Sequence, residues 1–322
     1  MEYRSLGESG LKVSVVGLGS WLTFGGSVDR ELTREVCRTA LEEGVNFFDT
    51  ADVYSGGAGE TALAFGLEGV PRKDYVLASK CFFPTGEGPN DRGLSRKHIF
   101  ESCEASLRRL GTEYLDLYQC HRFDPATPLE ETCRAMDDLC RRGWILYWGM
   151  SCWSARRIQE AHDLCRARGW VPPISNQPPY NIFERSIEDE VLPACRELGV
   201  GQVVFSPLAQ GVLTGKYGDG KEIPDRSRAA DPERNRFIGR YMSPEHLAAA
   251  SKIKAFADEL GVPPSAFALA WCLREDGVAS TIVGATTSGQ CRDNCRASDL
   301  EIPKDLLRAV DELCVSLPPA RS

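Results

Sequence analysis

The chain has 322 residues, of which 42% are hydrophobic and 26% charged, and it carries a net charge of −8. This balance suits a globular protein with a sizeable core and excludes a disordered chain. The acidic excess argues against an extended nucleic-acid surface or a polybasic membrane patch, while leaving room for a local anion site.

No run approaches the roughly 18 to 20 apolar residues of a membrane span, and the opening MEYRSLGESG has no signal-peptide apolar region. Neither membrane insertion nor secretion is therefore expected. The thirteen cysteines are scattered without a CxxC pair, which suits reduced, core-packed thiols in the cytoplasm. Cys291 and Cys295 could share a helix face, but no histidine lies near them and no metal is expected. The length admits two average domains, but a single barrel with insertions also fits it, and one domain over 1–322 is the expectation.

In chain order, residues 2–14 hold two short stretches around Ser5-Leu6 and Val13-Ser14 separated by GESG, a hairpin pattern suited to closing one end of a barrel. Short apolar runs then alternate with longer amphipathic segments. The runs predict eight strands, at 15–19, 45–49, 75–80, 115–121, 145–150, 173–177, 202–207 and 280–285. Helical periodicity occupies 30–43, 59–69, 95–110, 129–142, 154–168, 184–198 and 245–275. Ser95, three residues before His98, is an expected N-cap, and Gly44, Gly111, Gly143 and Gly199 stand where helices should stop. Gly17-Leu18-Gly19 suggests a dinucleotide loop, but Leu22 occupies the third glycine position and no helix starts there, so that motif is rejected. Residues 208–243 read as a long polar loop of the kind that forms lids or binding segments, and DLLRAVDELC (305–314) as an added outer helix. Eight βα units with right-handed crossovers favour a closed (β/α)8 TIM barrel over an open doubly wound sheet.

In a parallel barrel the catalytic groups stand at the C-terminal strand ends and in the loops that follow. Asp49 ends the second predicted strand, Tyr54 follows in its loop, Lys80 ends the third and His121 the fourth. Any one of these alone reads as a cap, a solvated charge or a structural histidine. Their common placement makes them a candidate catalytic set.

FDTADVY (48–54), Lys80, His121, Asn176-Gln177, FSPLAQG (205–211) and GATTSGQCRDN (284–294) resemble the aldo-keto reductase superfamily. GLSRKHI (93–99), LEETCRAM (129–136), YWGMSCWS (147–154) and AWCLR (270–274) resemble its branch of potassium-channel β subunits and their bacterial relatives. The resemblance covers nearly the whole chain. It implies NADPH-dependent reduction of an aldehyde or ketone, with the cofactor extended across the barrel mouth.

Carbonyl reduction puts negative charge on oxygen as hydride arrives, so a proton donor must stand beside that oxygen. By the resemblance Tyr54 is that donor, and an ammonium from Lys80 favours its ionised form. Asp49 would hold Lys80, while His121 would hydrogen-bond the carbonyl oxygen. The resemblance also assigns Ser20, Trp21, Ser151, Gln177 and Phe205 to the nicotinamide end. Ser206, Pro207, Leu208, Ala209, Gln210 and Lys216 fall to the pyrophosphate loop, and Arg228, Thr286 and Gln290 to the ribose 2′-phosphate. Asp293 and Asn294 would meet the adenine, with Asp49 and Gly284 completing the cofactor contacts. Trp21, Tyr54, Phe83 and His121 would line the substrate pocket.

The same branch offers a second reading, a nicotinamide-binding regulatory subunit of a partner such as an ion channel. That branch has Asn where this chain has His121, and Gln and Arg where it has Ser27 and Cys152. A metal- or phosphate-dependent barrel lyase would need a carboxylate–histidine cluster that the strand ends lack. Relatives in the branch assemble as tetramers or octamers, and a homo-oligomer is open here; the sequence selects neither an oligomeric state nor a substrate. PTGEGPNDRG (84–93) reads as a partly open pocket rim.

Overall fold

The computed structural model describes residues 1–26, 28–218, 223–225, 227–231, 235–315 and 317–318. Ser27, one of the two departures from the channel branch, lies outside them. An antiparallel pair, β1 (Tyr3–Ser5) and β2 (Lys12–Ser14), opens the chain. Eight parallel strands follow: β3 (Val16–Gly19), β4 (Phe47–Asp49), β5 (Val76–Cys81), β6 (Leu115–Cys120), β7 (Ile145–Ser151), β8 (Ser175–Gln177), β9 (Gly201–Phe205) and β10 (Val278–Val283). They close in chain order, β10 pairing with β3. This is the (β/α)8 barrel that the alternating pattern predicts, with each strand end within two residues of expectation.

The helices lie outside: α1 (Arg30–Glu42), α2 (Ala58–Gly66), α3 (Arg96–Leu110), α4 (Leu129–Arg142), α5 (Ala155–Arg168), α6 (Val191–Glu197), α7 (Pro244–Glu259), α8 (Pro264–Leu273), α9 (Ser288–Cys295) and α10 (Lys304–Cys314). Ser95 caps α3 by accepting from the His98 amide at 3.2 Å, and Gly111 and Gly143 end α3 and α4 in the left-handed region. None of the helices described is long and apolar enough to cross a membrane.

Three expectations are corrected. The 245–275 helix is two helices, because Pro263 and Pro264 lack amide hydrogens and force the residues before them out of helical geometry. The 184–198 helix shrinks to Val191–Glu197, since the Asn181 side chain takes the amides of Phe183 and Glu184 into a turn. The described residues of the 208–243 loop form three short 3-10 turns, and among them Val212, Leu213, Tyr217, Ile238 and Tyr241 are buried. Its polar composition concealed that apolar anchor. α9 has no counterpart among the predicted helices; the Thr287 hydroxyl caps it, accepting from the Gln290 amide at 3.2 Å.

Strand alternation sets what fills the barrel. Leu6 and Val13 from the hairpin join Phe47, Val76, Ala78, Leu117, Val203 and Ile282 in one buried cluster. Two residues further along three of these strands, the inward positions become Asp49, Lys80 and Gln119. The interior thus turns from apolar at the hairpin end to polar at the opposite end. Gly17 and Gly19 face the same interior: an added Cβ would lie 2.7 Å from the Phe47 ring and 2.6 Å from Ile282. The GLG run therefore serves packing, which agrees with rejecting it as a phosphate loop.

Leu6 is fully buried under the barrel. Leu6→Ala should lower unfolding stability by about 2–5 kcal/mol, the usual loss for a buried leucine truncation. Urea unfolding checks this, and a loss below about 1 kcal/mol would mean that the hairpin does not plug the barrel.

Candidate active site

The polar layer at the C-terminal strand ends is organised around Lys80, whose side chain has no solvent exposure. Its ammonium donates to Asp49 Oδ1 at 2.5 Å, to the Thr50 carbonyl at 2.7 Å and to the Tyr54 hydroxyl at 3.3 Å. The other Asp49 oxygen accepts from Gln177 at 2.9 Å and from Gln119 at 3.4 Å. Tyr54 is half-buried at the start of a tight loop in which Ser55 and Gly56 adopt left-handed geometry. The His121 ring stands edge-on to Tyr54, with centroids 5.7 Å apart, and edge-on to Phe83 at 4.9 Å.

Burial lowers the Lys80 pKa, but Asp49 and Tyr54 more than offset it, and the ammonium is held above its ordinary value. Burial raises the Tyr54 hydroxyl, and the lowering pull of Lys80 does not overcome it. The ammonium does pull towards tyrosinate, as expected, but burial outweighs it and the phenol is held in its protonated form. Burial, with the cations of Lys80 and Arg122, drives His121 well below the ordinary imidazole range, so its ring is neutral near pH 7.

Above these groups a cleft of about 900 Å³ opens. Its lining includes Trp21, Asp49, Tyr54, Phe83, His121, Ser151, Gln177 and Phe205, together with Gly284, Thr286, Gln290, Asp293 and Asn294. Ser206, Pro207, Leu208, Gln210, Lys216 and Arg228 line it as well. The turn after β9 places Ser206, Ala209 and Gln210 at positive φ, a costly conformation for residues with a Cβ. It is held by Gln210 donating to Ser206 Oγ at 2.5 Å and Asn181 donating to the Ser206 carbonyl at 3.0 Å. Arg228 donates to Gln210 and lies 5.8 Å from the Trp21 ring centre. The Gln290 side chain accepts from the Thr286 amide and hydroxyl at 2.9 and 3.1 Å.

The Aldo/keto reductase family model matches residues 15–314, a stretch holding the whole of this layer and cleft. The chain belongs to the aldo/keto reductase family. Among similar proteins, one named probable voltage-gated potassium channel subunit beta from Arabidopsis thaliana is 44% identical over 303 residues, covering 93% of this chain and 92% of that one. A protein of the same name from Oryza sativa subsp. japonica is 42% identical over 316 residues, covering 97% and 95%. A putative voltage-gated potassium channel subunit beta from Schizosaccharomyces pombe is 40% identical, covering 97% and 92%.

Within this reductase-family barrel three of the expected site residues do not line the cleft. Lys80 lies beneath its floor and reaches it through Tyr54. Ser20 is buried with its hydroxyl donated to Thr50 at 2.8 Å, and Ala209, within the turn after β9, is buried. Sequence reasoning also missed Gln119 and Arg122. Gln119 faces inward from β6, and period-two alternation back from His121, just beyond the strand, would have found it. Arg122 directly follows His121 and also lines the cleft. The thirteen cysteines are free thiols, and the described residues contain no group of three or more His, Cys, Asp or Glu suited to a metal.

Behind the Tyr54 loop, burial and the neighbouring Glu60 raise the Asp52 carboxyl to about 7, while Ser102 donates to it at 3.2 Å. A raised native pKa means that the folded chain binds this proton more tightly than the unfolded chain. Its contribution to stability should be full below about pH 4 and decline as pH rises towards 7. Asp52→Asn should flatten that decline in urea unfolding measured across this range. An unaltered slope would show that Asp52 ionises normally.

Proposed function

We propose that this chain reduces an aldehyde or ketone to the alcohol with NADPH, in the cytoplasm. The observation that carries this reading is the Tyr54 hydroxyl at the cleft floor, 3.3 Å from an ammonium locked to Asp49. The protonated Tyr54 gives its proton to the carbonyl oxygen as negative charge develops there. Lys80 then stabilises the phenolate left behind, and Asp49 keeps Lys80 charged and aimed. His121, being neutral, donates a hydrogen bond to the same oxygen from its one N–H. When bound, NADPH supplies the hydride.

The cleft suits such a cofactor in size and charge. Its volume of about 900 Å³ has room for a long ligand with a small carbonyl compound beside it. The strained turn of Ser206, Ala209 and Gln210 has the character of a ligand cradle, with the cations Lys216 and Arg228 beside it. Phe205 offers an apolar ring face, and Ser151 and Gln177 offer polar groups at the Tyr54 end. Thr286 and Gln290, with Arg228, would surround a 2′-phosphate, while Asp293 and Asn294 would hold the adenine.

A second reading follows from the relatives named as channel β subunits: a nicotinamide-binding chain that regulates a partner. The intact Tyr54–Lys80–Asp49 relay beside a neutral His121 favours turnover over pure binding.

Tyr54→Phe should lower turnover by about 10²-fold or more with cofactor affinity nearly unchanged, read from NADPH oxidation over a panel of aldehydes and ketones. Near wild-type turnover would remove Tyr54 as donor. NADPH should bind more tightly than NADH, and Arg228→Ala should cost about 1.5–3 kcal/mol for NADPH and little for NADH. Fluorescence titration of both cofactors measures this. Equal weakening would trace the effect to the loss of the Arg228–Gln210 contact.

A further inference from the structure

Arg122 has no part in the proton relay, yet it stands beside it. It is half-buried, follows His121 in sequence, and lines the cleft. One guanidinium nitrogen, Nη1, donates to the His121 carbonyl at 2.6 Å and to Ser151 Oγ at 3.3 Å. Its Nε and Nη2 have no hydrogen-bond partner among the described residues, and no carboxylate there pairs with it. The guanidinium carbon lies 5.5 Å from the centre of the Phe83 ring, which itself packs edge-on against His121. Cation, apolar surface and proton-donor pair therefore share one wall.

The charges around that wall do not cancel. Asp49 is committed to Lys80 at 2.5 Å, and His121 is neutral. Arg122 is left as the unbalanced charge, and its field is felt at Tyr54, His121 and Cys152. A cation held in a partly desolvated cleft without a counterion is relieved when a ligand brings one, and a planar guanidinium with free donors matches a carboxylate or phosphate. If Arg122 served only to tie the ends of β6 and β7 together, the hydrogen bonds of Nη1 would suffice.

We propose that Arg122 makes the substrate end of this cleft selective for carbonyl compounds that also carry an anionic group, a carboxylate or a phosphate. The anion would sit against the open guanidinium edge, the carbon skeleton against Phe83, and the carbonyl oxygen by Tyr54 and His121. This inference rests on the reductase reading for its carbonyl half and on Arg122 alone for its anionic half.

The test compares 4-carboxybenzaldehyde with its neutral isostere 4-formylbenzamide, and glycolaldehyde phosphate with glycolaldehyde, in NADPH oxidation. Wild type should show higher kcat/KM for the charged member of at least one pair, and the pair that responds distinguishes carboxylate from phosphate. Arg122→Met should cut that ratio by roughly 10- to 100-fold, the size of a lost charge-assisted hydrogen bond, mainly through KM. Arg122→Lys should retain part of the preference, because it keeps the charge and loses the fork. No preference in wild type, or an equal fall for both members of each pair in Arg122→Met, would overturn the proposal and leave Arg122 as a support for His121. Calorimetric titration of the NADP+-loaded protein with terephthalate reads the anion site without turnover. Arg122-dependent binding in a protein that reduces no aldehyde would sustain the anion site and sink the reductase reading. Reduction without anion preference or terephthalate binding would do the reverse.

Discussion

Everything at the open end of this barrel depends on burying one ammonium. Lys80 sits wholly out of solvent, where an uncompensated charge would cost several kcal/mol. Asp49, the Thr50 carbonyl and the Tyr54 hydroxyl supply its partners within 3.3 Å. Gln119 and Gln177 in turn hold the second Asp49 oxygen, which stops the carboxylate from turning away. An apolar residue of similar size would in general serve stability as well as such an ion pair, so its presence fits a chemical task better than a structural one.

The barrel makes this pair possible by separating two functions along one axis. Towards the hairpin the inward positions are apolar and packed, and Leu6 closes that end. Towards the other end the same alternation presents charged and amide groups from β4, β5, β6 and β8. The closed barrel brings those strand ends together, so residues far apart in sequence meet. The turn after β9, strained at three residues and anchored through Asn181, forms a wall of the cleft beside them.

The electrostatics of the layer are uneven. The chain is acidic overall, with a net charge of −8, while the cleft collects Arg122, Lys216, Arg228 and Arg240. A long phosphorylated cofactor and an anionic substrate would both be drawn to such a site. Within it, burial keeps Tyr54 protonated and His121 neutral, so one can give a proton and the other a hydrogen bond without placing a second cation beside Lys80.

Much of this was legible in sequence order because strand and helix periods are local properties. The eight apolar runs, the Ser95 cap and the helix-ending glycines follow from residues within a few positions of each other. So did the strand-end set of Asp49, Tyr54, Lys80 and His121, since a closed parallel barrel brings its strand ends together. Other features are settled by neighbours distant along the chain. The 208–243 segment reads as polar because its buried apolar residues are dispersed among charges, and only the packing of its turns shows them. Gln119 and Gln177 are unremarkable amides until Asp49 lies within reach of both. The Tyr54 pKa is a balance between burial and an ammonium 26 positions away, and sequence supplied the ammonium but not the burial. Arg122 reads as an ordinary loop charge, and its open guanidinium edge exists because the fold surrounds it with Phe83, His121 and Ser151 and, among the described residues, brings no carboxylate to meet it.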